Sequence, residues 1–323
     1  MGLVESIFGG VIHRLLMPTQ VPAWYADKPC LPDAHSDSLL LLGRITLQVR
    51  DLEAARRFYV GAMGFHEAES TGKELRLLAG ASELRLRETS DPQAWPGHIY
   101  VWVRETTVVL GRCRELEQSS GAELVEDVHN VTAAESADAL ELKDPDGNCF
   151  LVNKAPRDFE GKLRKSLGEG ELPGSDVLAI VEALHLVPPG VALQVAKFYR
   201  KVLGAAVSSK DDGWAVHFAP SKAMRQTMCF MDDADTAIAM ESTHEVCIYM
   251  PTEERFKEVF DQCAAAGVLA DGAAWAAVSE AGEFTIPQCF DPDSKAAALE
   301  LETVVRSPSH EGCRLVTSGQ NGA

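Results

Sequence analysis

The sequence lacks any run of about eighteen apolar residues, so no stretch of it reads as a membrane span. Its eight cysteines include no C-x-x-C pair, which removes zinc-knuckle and thioredoxin-like chemistry. Eight cysteines in 323 residues are also too few for a disulfide scaffold. Most lie in apolar runs such as CFLV at 149–152, the pattern of buried reduced thiols, and a soluble cytoplasmic protein is expected. No G-x-S-x-G elbow, H-E-x-x-H helix or phosphate-binding P-loop occurs. Positive charge is scarce: 30 Lys and Arg stand against 48 Asp and Glu, a net charge of −18. Such a chain repels phosphate backbones and anionic lipid heads, which excludes nucleic acid as a general partner.

What is present is a 46% hydrophobic composition, ample for packed cores, in a length that suits roughly two domains. The amino end, MGLVES, fits the pattern for myristoylation on Gly2. Residues 3–17 could form a short amphipathic helix, weakened by Gly9–Gly10. The polar end TSGQNGA is expected to fray.

The chain is duplicated. Residues 45–65, ITLQVRDLEAARRFYVGAMGF, and 184–207, LHLVPPGVALQVAKFYRKVLGAAV, each run from a strand through a turn into a helix carrying Phe-Tyr. In both, a glycine follows: Phe58–Tyr59 with Gly64, and Phe198–Tyr199 with Gly204. A second landmark also recurs, DPDGNCFLV at 144–152 and DPDSKAAALEL at 291–301. Each repeat divides again into strand, helix and strands, giving an α+β chain of four βαβββ modules in two pairs. The expected organisation is an extension over 1–39, a first paired domain over 40–156, a linker over 157–176, a second paired domain over 177–308 and a tail over 309–323. The linker is charged and glycine-rich, with room for a short helix.

The strand–Asp-Leu-Glu–helix pattern with Phe-Tyr and its glycine, followed by DPDGN before a closing strand, resembles the vicinal oxygen chelate family. That family includes glyoxalase I, extradiol dioxygenases, fosfomycin-resistance proteins and bleomycin-binding proteins. The resemblance covers about 42–155 and 178–308, and implies paired modules curling into open cups around a small-molecule ligand. In metal-using relatives the ligands, commonly His, His and Glu, come from the first and last strands of the modules and leave positions open for a chelating substrate.

Carried onto this sequence, the first repeat places Arg44, His98 and Leu151 at ligand positions. Arginine has no lone pair for a metal, and one ligand of three does not make a site. Arg44 would instead pair with an anionic ligand or with a surface carboxylate. The second repeat places Glu182, Glu245 and Glu300 there, with His244 one residue from the middle position. Three carboxylates favour Mg²⁺, Mn²⁺ or Ca²⁺ over zinc or iron. Such side chains hold a metal, share protons, or do not converge. Trp214, Tyr249, Phe230 and Phe284 could line the second cup or fill a core.

Two functions follow. In the first, the second cup is a divalent-metal-dependent enzyme of isomerase, lyase or dioxygenase type, with Glu300 and His244 as catalytic groups. In the second, the protein keeps the fold, has lost the metal site, and binds a small molecule or serves in a homo-oligomer or larger assembly, with Arg44, His98 and Tyr249 as ligand-contacting residues.

Overall fold

The computed structural model describes residues 39–120, 139–167, 174–210, 213–219, 224–234, 244–270 and 273–315. The expected amino-terminal extension, the Gly2 motif and the polar end lie almost wholly outside these residues.

Module one opens with β1 (Leu41–Val49), whose odd-numbered residues Ile45, Leu47 and Val49 enter the apolar core while Arg44, Thr46 and Gln48 take the opposite face. Asp51 then starts a helix by accepting hydrogen bonds from the amides of Glu53 and Ala54 at 2.8 and 3.0 Å. This helix, α1, runs over Leu52–Arg56 and continues as a π-helical stretch over Arg57–Met63 that buries Phe58 and Tyr59. Strands β2 (His66–Ser70), β3 (Glu74–Ala79) and β4 (Ser82–Glu88) complete the module. Module two contains β5 (Gly97–Val103), α2 (Thr106–Ser120), β6 (Ala139–Lys143) and β7 (Cys149–Lys154).

Helix α3 (Phe159–Leu167) occupies the segment expected to be a linker, and buries Phe159, Leu163 and Leu167. Phe159 packs edge-on against Trp102 with ring centroids 4.6 Å apart, so the segment is part of a packed cluster. Module three follows with β8 (Val177–Val187), α4 (Val191–Lys201), β9 (Ala206–Lys210), β10 (Gly213–Phe218) and β11 (Gln226–Asp232). Module four has β12 (Glu245–Tyr249), α5 (Glu253–Ala266), α6 (Trp275–Ala281), β13 (Glu283–Ile286), a small hairpin β14 (Cys289–Phe290) and β15 (Ala297–Leu299), and β16 (Glu302–Arg306).

The four modules pair into two seven-stranded sheets, in the α+β architecture expected. Their partners differ from the expected ones. One sheet runs β13-β16-β12-β1-β4-β3-β2 and joins module one to module four; the other runs β6-β7-β5-β8-β11-β10-β9 and joins two to three. In modules one to four the first strand lies parallel to the last: β1 with β4, β5 with β7, β8 with β11 and β12 with β16. The modules meet through antiparallel seams, β1 with β12 and β5 with β8. The physical reason lies at the seams. Gly43 in β1 leaves room for the Tyr249 ring of β12, because a Cβ there would stand 2.3 Å from that ring. Gly97 in β5, at φ 143°, lets the backbone approach the Leu184 carbonyl of β8, which a Cβ would meet at 2.2 Å. One large apolar core, holding the helices and the outward faces of both sheets, joins the four modules.

Candidate functional site

On the inner face of the first sheet, strand alternation and register assemble a row of polar residues. Glu302 of β16, Glu245 of β12, Thr46 of β1 and Arg85 of β4 lie side by side. Arg44, one pleat along β1, donates its Nη2 to Glu245 Oε1. Thr46 Oγ1 donates to the same oxygen at 3.0 Å, and Arg87 Nη2 lies 3.6 Å from Oε2. Arg44 and Glu245 are both more than nine-tenths buried. Burial would raise the Glu245 carboxyl, but Arg44, the Thr46 hydroxyl and Arg87 outweigh it and hold it below the usual glutamate range. Farther out on this face, Arg76 pairs with Glu83 at 2.9 Å and Arg87 with Glu74 at 2.9 Å.

The opposite end of the same cup is covered by the chain itself. Residues after β16 cross the sheet from Ser307, whose amide donates to the Gly282 carbonyl at 2.9 Å, to Arg314, whose Nη1 donates to the Gly80 carbonyl. Cys313 and Leu315 pack with Cys247, Tyr249 and Val304. The Tyr249 hydroxyl accepts from Arg306 Nη1 at 3.1 Å, and burial pushes its pKa up. Tyr249, expected to contact a ligand, is thus held under the carboxyl-terminal segment.

The inner face of the second sheet centres on Glu182 of β8. Lys210 Nζ, from β9, donates to both carboxylate oxygens at 3.0 and 3.1 Å and lies 3.4 Å from Cys229 Sγ. Thr227 Oγ1 donates to Oε2 at 2.9 Å. Burial opposes the charge on Lys210, yet Glu182 overcomes it and raises the ammonium pKa. Leu184, Ala215 and Cys229 form a small apolar floor beside Tyr100 and Met231. His98 stands at the rim with Nε2 3.5 Å from Glu141 Oε1.

The expected carboxylate trio does not converge. Glu182 belongs to the second sheet and Glu245 to the first, because module three pairs with module two rather than with module four. Glu300 falls between β15 and β16, outside both strands. The small hairpin β14–β15 lengthens the path from Asp291 to the closing strand, and Glu302 takes the position beside Glu245. His244 lies away from both cups: its Nε2 contacts the Ala94 carbonyl at 3.1 Å, and its ring packs 5.3 Å from that of Trp95. Burial holds its pKa down at about 4. Phe230 and Phe284 are core residues, and Trp214 packs against that core.

A divalent cation does not fit either arrangement. In the first cup it would sit beside the Arg44 guanidinium, with Glu245 already satisfied; in the second, Lys210 occupies both oxygens of Glu182. Among the described residues no group of three or more His, Cys, Asp and Glu stands close enough to hold a metal ion. Lys210, Thr227, Arg85, Arg87 and Glu302 were not singled out from sequence. Only the alternation of Glu83, Arg85 and Arg87 in SELRLRE signalled that a charged face was being built.

Residues 41–152 match the Glyoxalase/Bleomycin resistance protein/Dioxygenase superfamily. The fold is similar to that of a candidate dioxygenase from Bacillus subtilis subsp. subtilis str. 168, at 12% identity and a TM-score of 0.50, over 84% of this chain and 86% of that one. It also matches glyoxalase I from Zea mays, at 12% identity and a TM-score of 0.48, over 84% of this chain and 92% of that one. No curated protein matches the sequence. Among the described residues no helix is long and apolar enough to cross a membrane.

Proposed function

We propose, from the match of residues 41–152 to the Glyoxalase/Bleomycin resistance protein/Dioxygenase superfamily, that the chain is a small-molecule-binding member of that superfamily working without a metal. Family members generally use divalent metals, held in the cups; here each cup carries a protein cation locked onto a buried carboxylate instead. The Arg44–Glu245 pair is the observation that carries this reading. A guanidinium with no lone pair stands where a ligand would be, and it consumes the carboxylate that would be its neighbour. The Lys210–Glu182 pair supports the same reading in the second cup.

Each pair fixes charge without an exchangeable ion, so the cups are preorganised polar surfaces. An apolar floor with a few convergent polar groups, as around Leu184, Tyr100 and His98, suits recognition of a compact organic molecule. Calorimetric titration with Mg²⁺, Mn²⁺ and Zn²⁺ tests the reading. No binding heat is expected. Stoichiometric binding that disappears in Glu245→Ala or Glu182→Ala would overturn it.

A further inference from the structure

We propose that the open half of the first cup binds a small zwitterion, an amino-carboxylate whose carboxylate rests on Arg85 and whose ammonium rests on Glu302. The proposal rests on the metal-independent reading above and names the ligand class.

It follows from matching the charges on one face. Glu83 is bound to Arg76, Glu74 to Arg87, Glu245 to Arg44, and Glu283 to Arg306 at 2.7 Å. Glu69 shares Arg76 with Glu83, at 3.5 Å, and is largely exposed. Two partly buried side chains are left over. Arg85 makes no hydrogen bond among the described residues; its nearest carboxylate oxygen, on Glu74, is 3.8 Å away on a residue already bound to Arg87. Glu302 makes no side-chain hydrogen bond or ion pair among the described residues, and its backbone partner in register is another acid, Glu245. Both left-over groups are partly buried, where an unmatched charge is costly.

The two sit in the same cross-strand row, with Thr46 and Glu245 between them. A simple anion would satisfy Arg85 and worsen the crowding at Glu302. A simple cation would do the reverse. One unmatched charge of each sign calls for a ligand carrying both. The shifts agree with this: burial and then Glu245 raise the Glu302 carboxyl, while burial and then Arg44 lower the Arg85 guanidinium. Three strand spacings of about 4.8 Å separate the two backbones, roughly 14 Å before the side chains reach inward. That span suits an amino acid whose charges are several bonds apart better than an α-amino acid. The covered end beyond Tyr249 closes the row on one side, which limits the ligand's size.

Calorimetry of the full chain with 4-aminobutanoate, glycine, butanoate and butylamine tests the assignment. The expected order is 4-aminobutanoate first, with each single-charge analogue about tenfold weaker or more. Arg85→Gln should bring 4-aminobutanoate down to the level of butylamine, and Glu302→Gln down to that of butanoate. Neither substitution removes a hydrogen bond and each removes a charge without a close partner, so both variants should unfold at or above the parent's midpoint; Arg85→Lys and Glu302→Asp, which retain charge, should restore part of the affinity. Butanoate binding as tightly as 4-aminobutanoate would overturn the proposal, as would the absence of heat with all four compounds. Mn²⁺ titrated into the same protein keeps the two readings apart. Binding of Mn²⁺ lost in Glu302→Gln would overturn the metal-independent reading, whereas silence with Mn²⁺ and with every zwitterion overturns the ligand class alone.

Discussion

Arg44 and Glu245 meet across the β1–β12 seam, joining the first and last modules of the chain through a buried ion pair. The pair costs desolvation, but with both members in place the arrangement is satisfied. Arg44→Met removes the cation and leaves Glu245 buried with only Thr46 and the more distant Arg87. The expected loss is about 3–5 kcal/mol in urea denaturation. The double variant Arg44→Met with Glu245→Leu should recover most of it. Because the Glu245 carboxyl is held low in the folded state, its contribution is present above the ordinary glutamate pKa and is lost as pH falls through the folded value. The double variant should therefore be less acid-sensitive than the parent.

The Tyr59 hydroxyl donates to Asp144 Oδ2 at 2.7 Å, linking the Phe-Tyr landmark of module one to the DPDGN landmark of module two. Asp144 also accepts from the Asn148 amide and side chain at 2.7 and 2.8 Å. Burial raises the Asp144 carboxyl, and Tyr59 opposes that rise. Tyr59→Phe should cost about 1–3 kcal/mol and move the Asp144 titration, followed by NMR, further upward. Among the described residues the second repeat shows no such bond between Tyr199 and Asp291; Asp291 instead caps its own turn through the Asp293 amide and Ser294. Tyr199→Phe should accordingly cost less than Tyr59→Phe.

That contrast explains what could be read from sequence. Tyr59, Gly64 and Asp144 are local landmarks whose spacing reports a module, so the α+β class and the four modules were legible. Which module meets which was not. Every first strand is an apolar run of similar pattern, and the devices that choose partners, Gly43 against Tyr249 and Gly97 against Leu184, are contacts between distant residues. The site suffered from the same gap. Glu182 and Glu245 were placed on opening strands, but in different sheets, and the hairpin at 289–299 moved the closing carboxylate from Glu300 to Glu302.

The seam glycines give a direct test of that pairing. Gly97→Ala places a methyl against the Leu184 carbonyl at a φ unsuited to L-residues, and Gly43→Ala places one against the Tyr249 ring. Each should destabilise the protein by about 1–3 kcal/mol, measured by thermal unfolding. Tyr249→Leu should relieve much of the Gly43→Ala cost and none of the Gly97→Ala cost.

His185 and His244 flank Trp95, with ring centroids 5.1 and 5.3 Å from it. Burial lowers the His185 pKa to about 3, helped by the charge His244 would carry, and burial lowers that of His244 to about 4. Both are therefore neutral at pH 7. An unfolded histidine takes up its proton near pH 6.5, whereas these two do so only near pH 3–4 when folded. Between those limits the unfolded chain binds more protons, so stability must fall as pH falls, by up to about 1.4 kcal/mol per pH unit for each histidine. Urea titrations from pH 7 to pH 4.5 should show this slope, and NMR should show neither ring titrating above about pH 5. Replacing His244 by Phe should flatten the slope by the share of one proton. A His244 ring that titrates near pH 6.5 in the folded protein would mean that it is exposed to water rather than packed on Trp95.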